Sequence, residues 1–186
     1  MEVLASRAQA PPPTRFGRSS RGSAIDLNAH PGEPTTPEQM RTFTAHTTAA
    51  SAPHEVVQLL TDPDAIARWA PIPFEVLELD KQRLYPGANA RVRGQLAGQC
   101  AEFSVHVLEV SEERLTLVAH GPVSLEVEYD VRPARRGSAI RASVSVFGHG
   151  LIGRLLAKAT EALLAAGVLQ TSLNRLADQP QTAVAA

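Results

Sequence analysis

Hydrophobic and polar residues alternate along most of the chain between Phe74 and Phe147. Six stretches show this period of two, which is typical of strands whose successive side chains point to opposite faces. The joints between them are short, and short joints connect antiparallel strands, because a parallel crossover needs about a dozen residues. The pattern therefore predicts an antiparallel meander with strands at 74–80, 88–96, 101–110, 114–120, 123–131 and 138–147.

One strand and two short helices are predicted before this meander, and a long helix after it. Residues 42–50 alternate as a strand, and helices are predicted over 53–60 and 64–69, each at or just after a proline. The leucine- and alanine-rich stretch 150–177 predicts the final helix. The order β-α-α-β6-α is typical of an α+β protein in which a seven-stranded curved antiparallel sheet wraps around a long C-terminal helix.

One face of each predicted strand is apolar and the other is polar, as expected when an antiparallel sheet packs on one side only. The apolar face is almost free of ionisable groups, and Tyr129 and Thr47 are its main polar members. Because protein interiors are densely packed, many small residues on this face predict either close backbone packing or unfilled volume. The small residues are Ala45, Ala90, Gly94, Ala101, Ala119 and Ala142.

The composition limits the possible partners. A formal net charge of −1 over 186 residues gives no general field that would attract nucleic acid, so a nucleic-acid partner is not expected. No apolar run is long enough for a transmembrane segment. The single cysteine, Cys100, cannot form an internal disulfide, which fits a reducing compartment, and we expect a cytoplasmic protein.

The chain is expected to contain one folded domain. Prolines and arginines interrupt any periodic pattern over residues 1–39, which predicts a disordered leader. Residues 40–178 are predicted to form this domain, and residues 179–186 a flexible tail. We expect this domain to be a monomer or a weak dimer.

Candidate catalytic chemistry is sparse. The six histidines lack the spacing of a metal site, and the chain has no dinucleotide or phosphate-loop motif, so neither a metal nor a cofactor is expected. Tyr129, His149 and Thr47 are the candidates for proton transfer inside or beside an interior space. His149 lies between two glycines at the start of the last helix, where a helix-capping role is the alternative. No catalytic residue is therefore assigned.

The stretch TFTAHTTAASAPHEVVQLLTDPDAIARWAP, at 42–71, runs from a strand through two short helices to Trp69. This order resembles the opening of the helix-grip, START-like (SRPBCC) superfamily, which includes polyketide cyclases and lipid carriers. The resemblance extends over about 41–178. It implies that the space between the sheet and the C-terminal helix is a ligand cavity.

The resemblance, combined with the alternation, predicts an apolar pocket for a hydrophobic small molecule such as a lipid, a polyketide or an isoprenoid-like compound. The protein would be a carrier or sensor, and the alternative is a polyketide cyclase or dehydratase. Family cyclases often carry an arginine or an acid/base pair in the cavity, and the alternation predicts neither. The predicted pocket residues are Phe43, Ala45, Thr47, Trp69, Phe74, Val92, Gly94, Phe103, Val105, Leu117, Tyr129, Val144, Leu155, Ala159 and Leu163.

Overall fold

The computed structural model describes residues 40–96 and 98–179. The predicted leader over 1–39 and most of the predicted tail lie outside the described residues. The strands are β1 Arg41–Ala49, β2 Phe74–Leu79, β3 Asn89–Leu96, β4 Gln99–Val110, β5 Arg114–His120, β6 Val123–Ala134 and β7 Gly137–Gly148. The helices are α1 Pro53–Thr61, α2 Pro63–Trp69, α3 Gly150–Ala165 and α4 Val168–Ala177.

The seven strands form one antiparallel sheet in the order β1-β7-β6-β5-β4-β3-β2. Strands β2 to β7 are the predicted meander, and β1 pairs with β7 so that Phe43 lies opposite Val144. The pairing register shifts at Val76/Glu78 in β2 and at Val107/Glu109 in β4, and irregularities of this kind bend a strand. The predicted α+β class and helix-grip fold are confirmed.

Local capping defines the two short helices. Pro53 opens α1, and the Glu55 carboxylate accepts a hydrogen bond at 2.8 Å from the backbone N–H of Ala52. Asp62 caps α2 by accepting hydrogen bonds from the backbone N–H groups of Asp64 and Ala65. These bonds satisfy amides that have no partner within a helix, so the sequence signals for both helix starts correspond to real caps.

The C-terminal helix is interrupted, whereas the sequence pattern predicted one continuous helix. Gly167 has a φ of +88°, a left-handed conformation that ends α3 and precedes α4. A Cβ at this position would meet nothing within 4 Å, so Gly167 marks a break in the helix and no other described part of the protein approaches it closely. The backbone conformation requires glycine here, because side chains disfavour positive φ.

The sheet has a densely packed end on its inner face, where β6 ends and β7 begins. Helix α1 packs on β5, β6 and β7, and α4 packs on β1 and β7. The large aliphatic side chains from these elements are 2% exposed or less, and together they form a closed core. We call this group the packed end: Val56, Leu60, Leu115, Val131, Ile140, Leu173 and Leu176.

Candidate ligand-binding cavity

A cavity of about 320 Å³ lies between the inner face of the sheet and the helices, and it is partly open to solvent. Its walls come from the end of α2 and the loop that follows, from strands β2 to β4, β6 and β7, and from α3 and α4. The lining residues are Trp69, Pro71, Ile72, Phe74, Val92, Gly94, Gln95, Phe103, Leu125, Val127, Tyr129, Val144, Thr160, Leu163, Leu164, Val168, Leu169 and Ser172.

The register of the sheet brings the strand residues of this wall together. Val127 of β6 pairs directly with Val144 of β7, and Val92 of β3 pairs with Phe103 of β4. Gly94 lies opposite Phe74, and a Cβ at Gly94 would be in ordinary contact, 3.7 Å from the Pro73 carbonyl oxygen. Most of the sheet wall is therefore apolar, and Gln95 of β3 and Tyr129 of β6 are its polar members.

Two glycines bring the first turn of α3 close to the sheet. A Cβ on Gly148 of β7 would lie 2.5 Å from the carbonyl oxygen of Gly153, so only glycine permits this approach. This close contact determines which face of α3 packs on the sheet. The buried residues of α3 are Gly153, Ala157 and Thr160. Leu155, which the sequence pattern placed in the pocket, is 70% exposed instead.

Two aromatic side chains supply polar atoms to the cavity. The rings of Trp69 and Tyr129 meet edge to face, with centroids 6.3 Å apart. Trp69 is 5% exposed and Tyr129 is 9% exposed. In the described part of the chain, the Trp69 Nε1 is buried and has no hydrogen-bond partner. Burial raises the pKa of Tyr129 to about 12, so its phenol is neutral at physiological pH.

Two further hydroxyls in the cavity wall donate to their own helices. Thr160 Oγ1 donates to the Leu156 carbonyl at 2.9 Å, and Ser172 Oγ donates to the Val168 carbonyl at 2.8 Å. Each oxygen keeps lone pairs that can accept a further hydrogen bond. The cavity thus combines an apolar wall with a few neutral donors and acceptors.

Charged side chains of β5 and β6 lie on the outer face of the sheet. Arg114 forms an ion pair with Asp130 at 3.0 Å and lies 3.6 Å from Glu128, so these carboxylates belong to a surface network. Among the described residues that line the cavity, none is aspartate, glutamate, histidine, lysine or arginine. Groups of three potential metal ligands are also absent from the described residues. None of the described helices is long and apolar enough to span a membrane.

The structure divides the predicted pocket residues into two sets. Those that line the cavity are Trp69, Phe74, Val92, Gly94, Phe103, Tyr129, Val144 and Leu163. Those that lie elsewhere are Phe43, Ala45, Thr47, Val105, Leu117, Leu155 and Ala159. The β1 residues fall in the second set because α4 packs on β1, and Thr47 Oγ1 donates to Asn174 Oδ1 at 3.2 Å.

The structure separates the candidates for proton transfer. Only Tyr129 lines the cavity. His149 is exposed at the position before α3, where its side chain makes no capping bond, and its Nε2 lies 3.5 Å from the Ser124 Oγ. Thr47 and His149 are therefore not placed to act on a molecule in this cavity.

Several lining residues were missed by the sequence analysis. Leu125 and Val127 share the inner face of β6 with Tyr129, and alternation did place them inward. Leu164 and Val168 lie on either side of Gly167, and their place in the wall depends on the helix break there. Glycine within an apolar helical stretch was the available signal for this break.

Comparison with known families identifies the group to which this arrangement belongs. The model of the polyketide cyclase/dehydrase and lipid transport family matches residues 40–179. The chain is a member of this family. The resemblance to the helix-grip superfamily is thereby confirmed. No curated protein matches the chain in sequence.

Solved structures of similar fold belong to sequences that have diverged widely. A Chromobacterium violaceum protein is 20% identical, with a TM-score of 0.57 over 73% of this chain and 94% of its own. The Zhui aromatase/cyclase from a Streptomyces species is 15% identical, with a TM-score of 0.57 over 74% of this chain and 92% of its own. A Thermus thermophilus protein is 16% identical, with a TM-score of 0.57 over 74% of this chain and 95% of its own. At such identities the likeness establishes the fold of this family member.

Proposed function

We propose that the protein binds a hydrophobic small molecule in the cavity between the sheet and the C-terminal helices, as a carrier or sensor. The observation that carries this proposal is the apolar lining of a cavity of about 320 Å³. This volume lies at the lower end of the range for small-molecule sites, about 300–1,000 Å³. Binding would be driven by removing apolar ligand surface from water. Among lipid, polyketide and isoprenoid-like ligands, the volume favours a compact molecule over a long acyl chain.

A polyketide cyclase or dehydratase acting in the same cavity is the second candidate. The hydroxyl of Tyr129 favours it, because a neutral phenol can polarise a ligand carbonyl by donating a hydrogen bond. General acid–base catalysis is most effective when the pKa of the group lies near the working pH. Burial raises the pKa of Tyr129 to about 12, and the described lining residues include no ionised side chain. Binding without turnover is therefore the preferred function.

The remaining features of the proposal concern the whole chain. We propose that the binding domain spans residues 40–178, and the family match over 40–179 supports this boundary. We also propose a cytoplasmic protein that is a monomer or weak dimer.

The binding proposal is tested with N-phenyl-1-naphthylamine, a neutral apolar dye whose fluorescence rises in a dry environment. The variant Val127→Phe places a ring in the cavity, and its matched control, Val118→Phe, makes the same change on the outer face of the sheet. We expect the wild type and Val118→Phe to bind the dye, and Val127→Phe to bind it about tenfold more weakly or worse. Failure of the folded wild type to bind, or equal binding by both variants, would contradict the proposal.

A further inference from the structure

A buried donor in the cavity wall has no partner within the described protein. Trp69 Nε1 is buried and makes no hydrogen bond to another described group, and the neighbouring Tyr129 lines the same cavity. Buried polar groups in folded proteins are nearly always paired, because water has been removed and nothing replaces it. The absence of a protein partner for Trp69 Nε1 points to a partner that comes with the ligand.

The two donors belong to one part of the wall. The Trp69 and Tyr129 rings are in edge-to-face contact, and both line the cavity. An indole N–H can only donate, so its partner must be an acceptor. Since burial raises the pKa of Tyr129 to about 12, its hydroxyl also keeps its proton for donation.

We propose that the ligand is an uncharged apolar molecule with a carbonyl-type oxygen, which accepts hydrogen bonds from Tyr129 and Trp69. This proposal rests on the binding function proposed above. A carboxylate could accept the same bonds, but the described lining residues provide no cation to offset the cost of removing its charge from water. A pure hydrocarbon would leave the buried Trp69 Nε1 unpaired. The cavity is therefore selective for a neutral ketone, aldehyde, ester or quinone on a compact apolar skeleton.

The helical side of the cavity is consistent with this ligand class. Thr160 and Ser172 give their protons to carbonyls of α3 and α4 and offer only lone pairs to the cavity. A carbonyl oxygen gains nothing from these acceptors, so it is directed toward Tyr129 and Trp69 instead. A hydroxyl elsewhere on the ligand could donate to Thr160 or Ser172.

The test compares three ligands of similar size: tetralin, α-tetralone and the anion of 1,2,3,4-tetrahydro-1-naphthoic acid at pH 8. Each displaces N-phenyl-1-naphthylamine from the wild type and from Tyr129→Phe, which retains the ring but removes the hydroxyl. Tyr85→Phe is the matched control, because Tyr85 is the other tyrosine of the chain and does not line the cavity. Its hydroxyl donates to Asp80 on the surface.

We expect Tyr129→Phe to weaken α-tetralone binding by about tenfold, to change tetralin binding by less than about twofold, and to leave dye binding intact. Tyr85→Phe leaves all affinities unchanged, and the anion binds the wild type at least about tenfold more weakly than α-tetralone. For Trp69→Phe, measured by the same displacement of the dye, we expect a similar loss of α-tetralone binding and no such loss of tetralin binding.

Three results would overturn the inference. If Tyr129→Phe weakens the binding of α-tetralone and of tetralin equally, or weakens neither, carbonyl recognition is refuted. Binding of the dye would still support the proposed function. If the anion binds as well as the ketone, selection for an uncharged ligand is refuted. If the wild type binds no dye at all, the binding function itself fails and this inference fails with it.

Discussion

The packed end and the cavity share the same sheet face, yet one is closed and the other is open. At the packed end, α1 and α4 place leucines such as Leu60 and Leu173 against Leu115 and Ile140, and all four are 1% exposed or less. At the cavity, smaller residues such as Gly94, Val92 and Val144 face the junction of α3 and α4. The comparison shows that the covering helices, rather than the strands, determine where the apolar face is filled.

The helix break at Gly167 belongs to the open region. Leu164 before it and Val168 after it both line the cavity. An uninterrupted helix would carry its apolar stripe straight along the sheet. After the break, α4 packs on β1, whereas α3 packs mainly on β7.

The two regions should differ most in how much the truncation of one side chain lowers the free energy of unfolding. Leu60→Ala removes a side chain that is 1% exposed in the closed core, and we expect it to lower the free energy of unfolding by about 2–5 kcal/mol. Leu163→Ala removes a cavity-wall side chain that is already 38% exposed, and we expect a loss below about 1 kcal/mol. Urea denaturation of both variants measures the difference. Equal losses would mean that the cavity end is as tightly packed as the core.

A smaller difference concerns alkaline pH, because Tyr129 lies in the wall between the two regions. Burial raises the pKa of Tyr129 from 10.0 to about 12 in the folded state. Its contribution to stability is fully present below pH 10 and is lost as the pH rises toward 12, since only the unfolded chain releases the proton in this window. We expect the wild type to lose up to about 2–3 kcal/mol more than Tyr129→Phe over this range.

This pH effect is measured by urea denaturation at intervals from pH 8 to pH 11.5, with the two proteins compared at each pH. All other titrating groups are common to both proteins, so the difference isolates Tyr129. If the free energies of unfolding of the two proteins change in parallel with pH, the Tyr129 phenol is well solvated and the cavity wall around it is wet.

Strand alternation was sufficient to predict several strand residues of this site. Val92, Phe103, Tyr129 and Val144 could be placed on the inner face because a strand has only two faces. Alternation could not tell which inner residues a helix would cover, so it also assigned Ala45 to the pocket, although α4 packs on β1.

The rotation of α3 could not be derived from the sequence, since this helix is apolar on nearly every side. Of the α3 residues predicted to face the pocket, Leu163 lines the cavity, whereas Leu155 is exposed and Ala159 lies elsewhere. The orientation is set by the tertiary contact between Gly148 and Gly153, which are five residues apart in the chain. A contact that depends on the absence of two side chains leaves no hydrophobic pattern to detect.

Methyl NMR spectroscopy of the wild type during titration with N-phenyl-1-naphthylamine tests the central claim most directly. If the cavity is the binding site, the methyl signals of Leu125, Val127 and Val144 shift strongly, whereas those of Leu60 and Ile140 at the packed end stay nearly unchanged. The account would be contradicted if the dye moved the signals of the exposed α3 residues Leu151 and Ile152 instead, while the cavity methyls remained in place.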